Sequence, residues 1–225
     1  MKSAAKLRHL AATIAAAATI GTAGIATAAT TTATPATPVA PPQIAQCAGC
    51  HSANGMGNSV AGFPAIAGQP TAYLEHQLYA FKHGTRRNAI MKSFATGLTA
   101  ADRKAIATYY NSLPVVAPAS LPAAPSDDLG KTIALHGAGV GTAHVIPACA
   151  SCHAAGGLGR APAFPRLAGQ PEQYLEAQLI DWRKGSRNES NLHLMRNIAK
   201  DLTAKQIKAV AQYYASLPPT GTSGS

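Results

Sequence analysis

The pentapeptides CAGCH (residues 47–51) and CASCH (residues 149–153) contain all four cysteines of this 225-residue chain. In each of them the two cysteines lie three positions apart, and a histidine follows the second cysteine directly. An explanation of the pattern therefore has to use both thiols and the imidazole, and it has to hold twice in one chain.

The two pentapeptides lie in two copies of a repeated unit. Two further stretches align without gaps: FPAIAGQPTAYLEHQLYAFKHGTR (63–86) with FPRLAGQPEQYLEAQLIDWRKGSR (164–187), and MKSFATGLTAADRKAIATYYNSLP (91–114) with MRNIAKDLTAKQIKAVAQYYASLP (195–218). The repeat predicts two small domains of one kind, residues 43–114 and 129–218, joined by a proline-containing linker at 115–128.

Both units carry the signals of helices and no convincing signal of a strand. In each unit a proline stands where a long helix can begin, a glycine stands where it can end, and a capping box precedes the last helix. Apolar residues recur at helical spacing between these signals. We therefore predict an all-α fold built by tandem duplication. The matched signals are Pro70, Gly84 and Thr99 with Asp102 in the first unit, and Pro171, Gly185 and Thr203 with Gln206 in the second.

The beginning of the chain has the features of an export signal. Lys2, Lys6 and Arg8 precede an uncharged, alanine-rich run from Leu10 to Ala29, and small residues near its end fit a cleavage site. We therefore predict a cleaved signal peptide at 1–28 and a periplasmic protein. The run is also long enough to span a bilayer, so an uncleaved membrane anchor is the alternative.

The segments outside the repeats predict no folded structure of their own. Residues 29–42 form an Ala/Thr/Pro-rich tether, and residues 219–225 form a short tail that we expect to be disordered. The formal net charge is +10 at pH 7, but the basic residues are scattered along the chain and aromatic residues make up only 5% of it. This composition argues against a nucleic-acid partner.

Covalent haem attachment explains the pentapeptides better than three other uses of cysteine. Two disulfides, a paired-thiol redox motif and a four-cysteine zinc site each leave the repeated histidine without a role. In c-type attachment both thiols bond to the two vinyl groups of one haem, and the next residue supplies the imidazole for the iron. We predict two haem c groups, the first on Cys47, Cys50 and His51, and the second on Cys149, Cys152 and His153.

Two methionines at matching positions are the candidates for the second iron ligand. Met91 and Met195 both precede the last helix of their unit, whereas Met56 aligns with a leucine and is interpreted as a packing residue. His193 competes with Met195 but has no counterpart in the first unit. Iron with both axial positions filled carries electrons and does not bind a substrate, which argues against a dihaem peroxidase and predicts an electron carrier without enzyme activity.

The two motifs with the sequences that follow them resemble the dihaem cytochrome c4 family, over about residues 43–218. The resemblance implies two class I cytochrome c domains in a periplasmic or peripherally membrane-associated carrier. It implies redox partners in the respiratory chain, namely a membrane-bound oxidase that accepts electrons and an upstream quinol-oxidising complex or dehydrogenase. Dihaem subunits of flavocytochrome sulfide dehydrogenases look similar, so a subunit of a periplasmic dehydrogenase complex is the alternative function.

The same resemblance implies roles for residues outside the pentapeptides. The carbonyl groups of Pro64 and Pro165 would accept a hydrogen bond from the ligand histidines and hold their tautomer. Four further side chains would lie near the haem propionates, namely those of Tyr73, Tyr174, Arg86 and Arg187.

The first unit departs from the family pattern before its pentapeptide. The second unit has the segment DLGKTIALH (128–136), which can form the expected leading helix, whereas the first has only QIAQ (43–46) after a proline-rich stretch. We therefore predict that the first haem is more exposed to water and has the lower reduction potential.

Overall fold

The computed structural model describes residues 39–139 and 145–220. The predicted signal peptide, most of the tether and residues 221–225 lie outside these ranges. Within them the regular structure consists of α-helices, two single 3-10 turns and isolated β-bridges, which confirms the predicted all-α fold. The described part contains no helix that is long and apolar enough to cross a membrane.

Each repeat contributes a similar set of helices. The first contains α1 (Ile44–His51), α2 (Thr71–His83), α3 (Ala89–Thr96) and α4 (Ala100–Ser112). The second contains α5 (Leu129–His136), α6 (Cys149–His153), α7 (Glu172–Lys184), α8 (Leu194–Asp201) and α9 (Ala204–Ser216). The segment between α4 and α5 forms no helix or strand.

The predicted helix ends are confirmed at matching positions. Gly84 and Gly185 end α2 and α7 in the left-handed region, with φ of 78° and 79°, where a side chain would be strained. Each last helix begins with a complete capping box, formed by Thr99 with Asp102 and by Thr203 with Gln206.

One face of each last helix forms the core of its repeat. Tyr110 on α4 and Tyr214 on α9 are almost fully buried, and Ile106 and Ile207 pack into the same clusters. These clusters also take in residues of α2 or α7, so the long helix and the last helix of each repeat enclose its core. The predicted apolar faces of α4 and α9 are therefore confirmed as packing surfaces.

The repeats differ where α5 packs on α9. A β-carbon on Gly130 of α5 would lie 2.1 Å from the carbonyl oxygen of Ala209, so only glycine permits this close crossing. In the first repeat the residue that matches Ala209 is Ala105, which is exposed to solvent. Ile44 of α1 instead joins the core of that repeat. The described part of the first repeat thus contains no counterpart of α5, and the surface of α4 at Ala105 stays open to solvent.

The two repeats pack directly against each other. Arg86 and Arg187 form an antiparallel β-bridge across the interface, flanked by two backbone hydrogen bonds of 2.8 Å. Two buried glutamines, Gln69 and Gln170, also cross the interface and bind backbone groups of the opposite repeat. We call this pair the glutamine clamp. It fixes the position of one haem-attachment motif relative to the other.

Candidate cofactor site between the two repeats

One cavity of about 850 Å³ extends along both repeats and is lined mostly by apolar side chains. Every predicted attachment and ligand residue borders it: Cys47, Cys50, His51, Met91, Cys149, Cys152, His153 and Met195. The fold therefore brings together side chains that are more than a hundred positions apart in the sequence, and it collects them on the walls of one largely apolar space.

The two histidines are held in the same way. His51 ends α1 and His153 ends α6, and both side chains are buried. Nδ1 of His51 lies 2.9 Å from the carbonyl oxygen of Pro64, and Nδ1 of His153 lies 2.8 Å from that of Pro165. Since a carbonyl oxygen only accepts, Nδ1 carries the proton and donates it. The other ring nitrogen, Nε2, keeps its lone pair for a metal ion.

Burial also favours the neutral form of these histidines. It lowers the pKa of both below the usual 6.5, and the nearby Arg86 guanidinium lowers the pKa of His51 further, against a smaller opposing effect of the Pro64 hydrogen bond. Neutral imidazole is the form that coordinates a metal. The site thus presents each ring in the charge state and tautomer that an iron ligand needs.

The four cysteines are free thiols that are partly buried. Before haem attachment, burial raises the pKa of the Cys47 thiol, and it raises the pKa of the Cys149 thiol to about 11. Tyr110 and Tyr214 lie beside these two thiols and repeat the same arrangement. The described residues bring together no group of three or more His, Cys, Asp and Glu side chains that could hold a metal ion.

Met91 and Met195 reach the cavity from the first turns of α3 and α8. The backbone N–H of Met91 donates to Oδ1 of Asn88 at 2.9 Å, which makes Asn88 the N-cap of α3. Met195 follows a longer loop, and its N–H lies 3.3 Å from the hydroxyl oxygen of Ser190. His193 is exposed and does not border the cavity, and neither does Met56. The geometry thus favours the two methionines over both competitors.

A cluster of polar side chains lies where the repeats meet at the cavity. Oε1 of Gln77 accepts hydrogen bonds from Arg86 at 2.8 Å and from Arg187 at 3.0 Å. Oε1 of Gln178 accepts from the same two arginines, at 2.6 and 2.9 Å. Both guanidinium groups are buried, and two shared amide oxygens hold them close together. We call these four residues, with Tyr73 and Tyr174, the arginine cluster.

The arginine cluster contains more positive than negative charge. Arg187 donates from Nε to Glu189 at 2.9 Å and forms a buried ion pair with it. Arg86 donates to Gln77, Gln178 and the hydroxyl group of Tyr174, all of which are neutral. A buried cation without a bonded anion is costly, so an anion bound beside Arg86 would stabilise the cluster.

These features fit a c-type haem at each motif. The cavity is apolar enough for a porphyrin, the unpaired charge of Arg86 suits the haem carboxylates, and Nε1 of Trp182 is a buried donor without an acceptor. Cys47, Cys50, His51 and Met91 would hold one haem, and Cys149, Cys152, His153 and Met195 the other. When bound, each haem supplies an iron that changes between the ferrous and ferric states by one electron.

Two groups of site residues were missed in the sequence. The glutamine clamp belongs to the stretch AGQP, which occurs in both repeats, so its recurrence was a usable signal. Glu189 gave a weaker signal, namely a difference in loop length. Seven residues separate Arg187 from Met195, whereas four separate Arg86 from Met91. Neither signal names a function without the packed structure.

Comparison with known proteins assigns both repeats to one family. The family model described as cytochrome c matches residues 43–114 and 138–218. Curated relatives include a thiosulfate dehydrogenase electron acceptor from Thiomonas intermedia, 43% identical, with 76% of this chain and 78% of the relative aligned. They also include cytochrome c4 from Pseudomonas aeruginosa, 36% identical, with 74% of this chain and 81% of the relative aligned.

Solved structures give the same assignment. Cytochrome c4 from Pseudomonas stutzeri superposes with a TM-score of 0.68 at 31% identity, over 78% of this chain and 95% of that one. A thiosulfate dehydrogenase from Marichromatium purpuratum superposes with a TM-score of 0.69 at 39% identity. That alignment covers 79% of this chain but only 37% of the longer one.

Proposed function

Because the chain belongs to the cytochrome c family, as a dihaem protein of the cytochrome c4 kind, we propose that it accepts electrons from a thiosulfate-oxidising dehydrogenase. Members of this family are electron carriers and not enzymes, and the two motifs carry two covalently bound haem c groups. The predictions of fold, cofactors and electron transfer are thereby confirmed. The proposal concerns the identity of the redox partners.

Similarity to two named relatives supports thiosulfate dehydrogenase as the electron donor. Thiosulfate dehydrogenase electron acceptors from Thiomonas intermedia and Stutzerimonas stutzeri are 43% and 37% identical to this chain. The Marichromatium purpuratum structure carries a matching region within a longer thiosulfate dehydrogenase chain. The alternative function predicted from the sequence also involved a periplasmic dehydrogenase. The example there oxidises sulfide, whereas the donor proposed here oxidises thiosulfate.

The site residues proposed for this role are those that border the shared cavity. Cys47, Cys50, Cys149 and Cys152 attach the haems, His51 with Met91 and His153 with Met195 bind the irons, and Pro64 and Pro165 orient the histidines. The observation that carries this assignment is that the histidine of each motif contacts a proline carbonyl oxygen in its own repeat, at 2.9 Å for His51 and 2.8 Å for His153. With one histidine and one methionine of the protein on each iron, the haems would supply one-electron transfer and leave no position for a substrate.

The proposed location is the periplasm. The features of residues 1–28 support a cleaved export signal, although that segment lies outside the described residues. From there the carrier passes its electrons to a membrane-bound oxidase of the respiratory chain, and it associates with the membrane surface at most peripherally. A quinol-oxidising complex is the alternative donor, supported by the similarity to cytochromes c4 at 34–36% identity.

The test is reduction of the purified, oxidised holoprotein under anaerobic conditions. Thiosulfate and the thiosulfate dehydrogenase of the same organism are added together, and the haem absorbance is followed. We expect full reduction of both haems, with tetrathionate formed in proportion, and no rapid reduction when either component is omitted. Reduction by a quinol-oxidising complex but not by this pair would replace the proposed donor with the alternative.

A pull-down from periplasmic extract distinguishes a free carrier from a permanent subunit. The untagged protein is followed by haem staining while partner bands are identified by mass spectrometry. A free carrier elutes alone at moderate ionic strength. A subunit of a stable dehydrogenase complex brings a larger catalytic chain with it in constant proportion.

A further inference from the structure

The buried charges at the repeat interface differ between the two repeats. Arg86 and Arg187 occupy matching positions, and both contact the same two glutamine oxygens. Only Arg187 is bonded to a carboxylate, that of Glu189. The first repeat has no acidic residue between Arg86 and Met91. Both repeats therefore have the buried arginine, but only the second repeat has a buried acidic residue beside it.

Glu189 is held firmly in this position. Its side chain is 2% exposed and receives hydrogen bonds from Nε and a terminal nitrogen of Arg187. Its backbone oxygen lies 2.9 Å from Nε2 of His76, on a helix of the opposite repeat. Two independent anchors thus fix this carboxylate beside the cavity. A fixed, buried charge acts on its surroundings with little screening by salt.

We propose that Glu189 makes the two haem sites electrostatically different, because it neutralises Arg187 of the second repeat while Arg86 of the first repeat has no carboxylate of the protein bonded to it. A nearby positive charge disfavours ferric iron, which carries the extra charge, and so raises the reduction potential. Neutralisation of Arg187 therefore holds the potential of the second haem below the value that this arginine would otherwise give it. The inference does not depend on which protein donates the electrons.

The direct test is Glu189→Gln in the full-length holoprotein. Glutamine has nearly the same shape and still accepts a hydrogen bond, so the change removes mainly the charge. Both reduction potentials are measured by spectroelectrochemical titration, at low and at high salt. A Met91→Ala background, in which the first haem is displaced in potential, assigns each transition to its haem. We expect both potentials to rise, the second more than the first, and the rise to persist at high salt.

The matched control is Glu176→Gln, which removes a carboxylate of α7 that is outside the arginine cluster. We expect a smaller shift that largely disappears at high salt, since a charge nearer the solvent is screened. Intact mass verifies that every variant carries two haems, and the sulfur-to-iron absorption band verifies both methionine ligands in the variants that keep Met91. An unchanged second potential in Glu189→Gln, or a larger shift at the first haem, contradicts the proposal.

Two further variants keep the test decisive if Glu189→Gln does not fold. Arg187→Gln leaves the acid unpaired, and we expect the second potential to fall. Glu189→Gln combined with Arg187→Gln removes a neutral pair, and we expect the second potential to return close to that of the parent. A fall in the double variant as large as in Arg187→Gln alone would mean that Glu189 does not neutralise the arginine.

Discussion

Gln69 and Gln170 make reciprocal contacts across the repeat interface. Gln170 accepts from the backbone N–H of Ala65 at 2.9 Å and donates to its carbonyl oxygen at 2.7 Å. Gln69 does the same with Arg166, at 2.8 and 2.9 Å. Each glutamine thus satisfies both backbone groups of one residue in the other repeat, and these residues directly follow the prolines that bind the ligand histidines. The clamp links the two haem sites through their histidine supports.

Loss of the clamp should destabilise the whole protein. In Gln170→Ala the buried N–H and C=O of Ala65 lose their partners, at about 1 to 3 kcal/mol for each unsatisfied group. We expect the free energy of unfolding, measured by denaturant titration, to fall by about 2 to 5 kcal/mol.

Gln173→Ala is the matched control for the clamp. This exposed glutamine also crosses the interface, with Nε2 2.6 Å from the carbonyl oxygen of Ser59. Water can replace that contact, so we expect a loss of at most about 0.5 kcal/mol. Equal effects of Gln170→Ala and Gln173→Ala would show that burial of the clamp adds no stability.

Intact mass tests covalent attachment at each motif. The exported holoprotein should exceed the mass of its polypeptide by two haem groups and should contain no free thiol. Replacement of Cys149 and Cys152 together by alanine should leave one haem, bound to Cys47 and Cys50. A two-haem mass in that double variant would mean that attachment does not follow the motifs.

The sequence predicted those parts of the molecule that depend on local patterns. The ends of α2 and α7 follow from a proline and a glycine, because proline fits only the first turn of a helix and glycine alone adopts the left-handed turn without strain. The segment 128–136 was also predicted correctly as the helix α5. Each of these elements is determined by residues within one or two helical turns of each other.

The parts that were missed depend on contacts between distant segments. Ile44 joins the core cluster of Ile106 and Tyr110, which lie about sixty residues further along the chain, and no local pattern expresses this. Gln69 and Gln170 occurred in an obvious repeat, but their partners lie about a hundred residues away.

The iron ligands are tested by removal of each methionine. Ferric haem with a thioether ligand shows a sulfur-to-iron charge-transfer band near the red edge of the visible spectrum. We expect Met91→Ala and Met195→Ala each to abolish about half of this band, because we propose one methionine ligand for each haem iron. His193→Ala is the control and should leave it unchanged. If Met195→Ala keeps the full band, another group is the ligand.

The two capping boxes predict a pH dependence that is specific to the first repeat. Hydrogen bonds from the Thr99 side chain and backbone hold the pKa of Asp102 below its usual 3.8, with a smaller contribution from Gln43. A carboxyl whose pKa is lowered by folding stabilises the protein above the unfolded value, and this contribution is lost as the pH falls through the lowered pKa. Gln206, the matching residue of the second repeat, does not titrate.

We therefore expect Asp102→Gln to reduce the loss of stability below about pH 4. The measurement is the urea midpoint as a function of pH, with Glu75→Gln as the control that removes another carboxylate from the same repeat. The curve of Asp102→Gln should be flatter than those of the parent and the control in acid. Parallel curves for all three proteins would exclude a role for this carboxyl in acid stability.

The two haems should differ in reduction potential, with the first haem the lower. The described first repeat lacks a counterpart of α5, and its α4 exposes Ala105 where Ala209 is buried in the second repeat. A haem that is nearer to water has the lower potential, because a polar environment stabilises the extra charge of ferric iron. The charge of Arg86 would raise the potential of the first haem, and Glu189 would lower that of the second. Both effects reduce the expected difference between the two potentials. We expect the effect of exposure to be the larger one, since haem carboxylates near Arg86 offset its charge.

Titration of the intact protein resolves two transitions, and the Met91→Ala background identifies the first haem. Separate halves are unsuitable, because cutting the chain would expose the glutamine clamp and the arginine cluster to water. A first potential equal to or above the second would mean that the charge of Arg86 outweighs the missing helix.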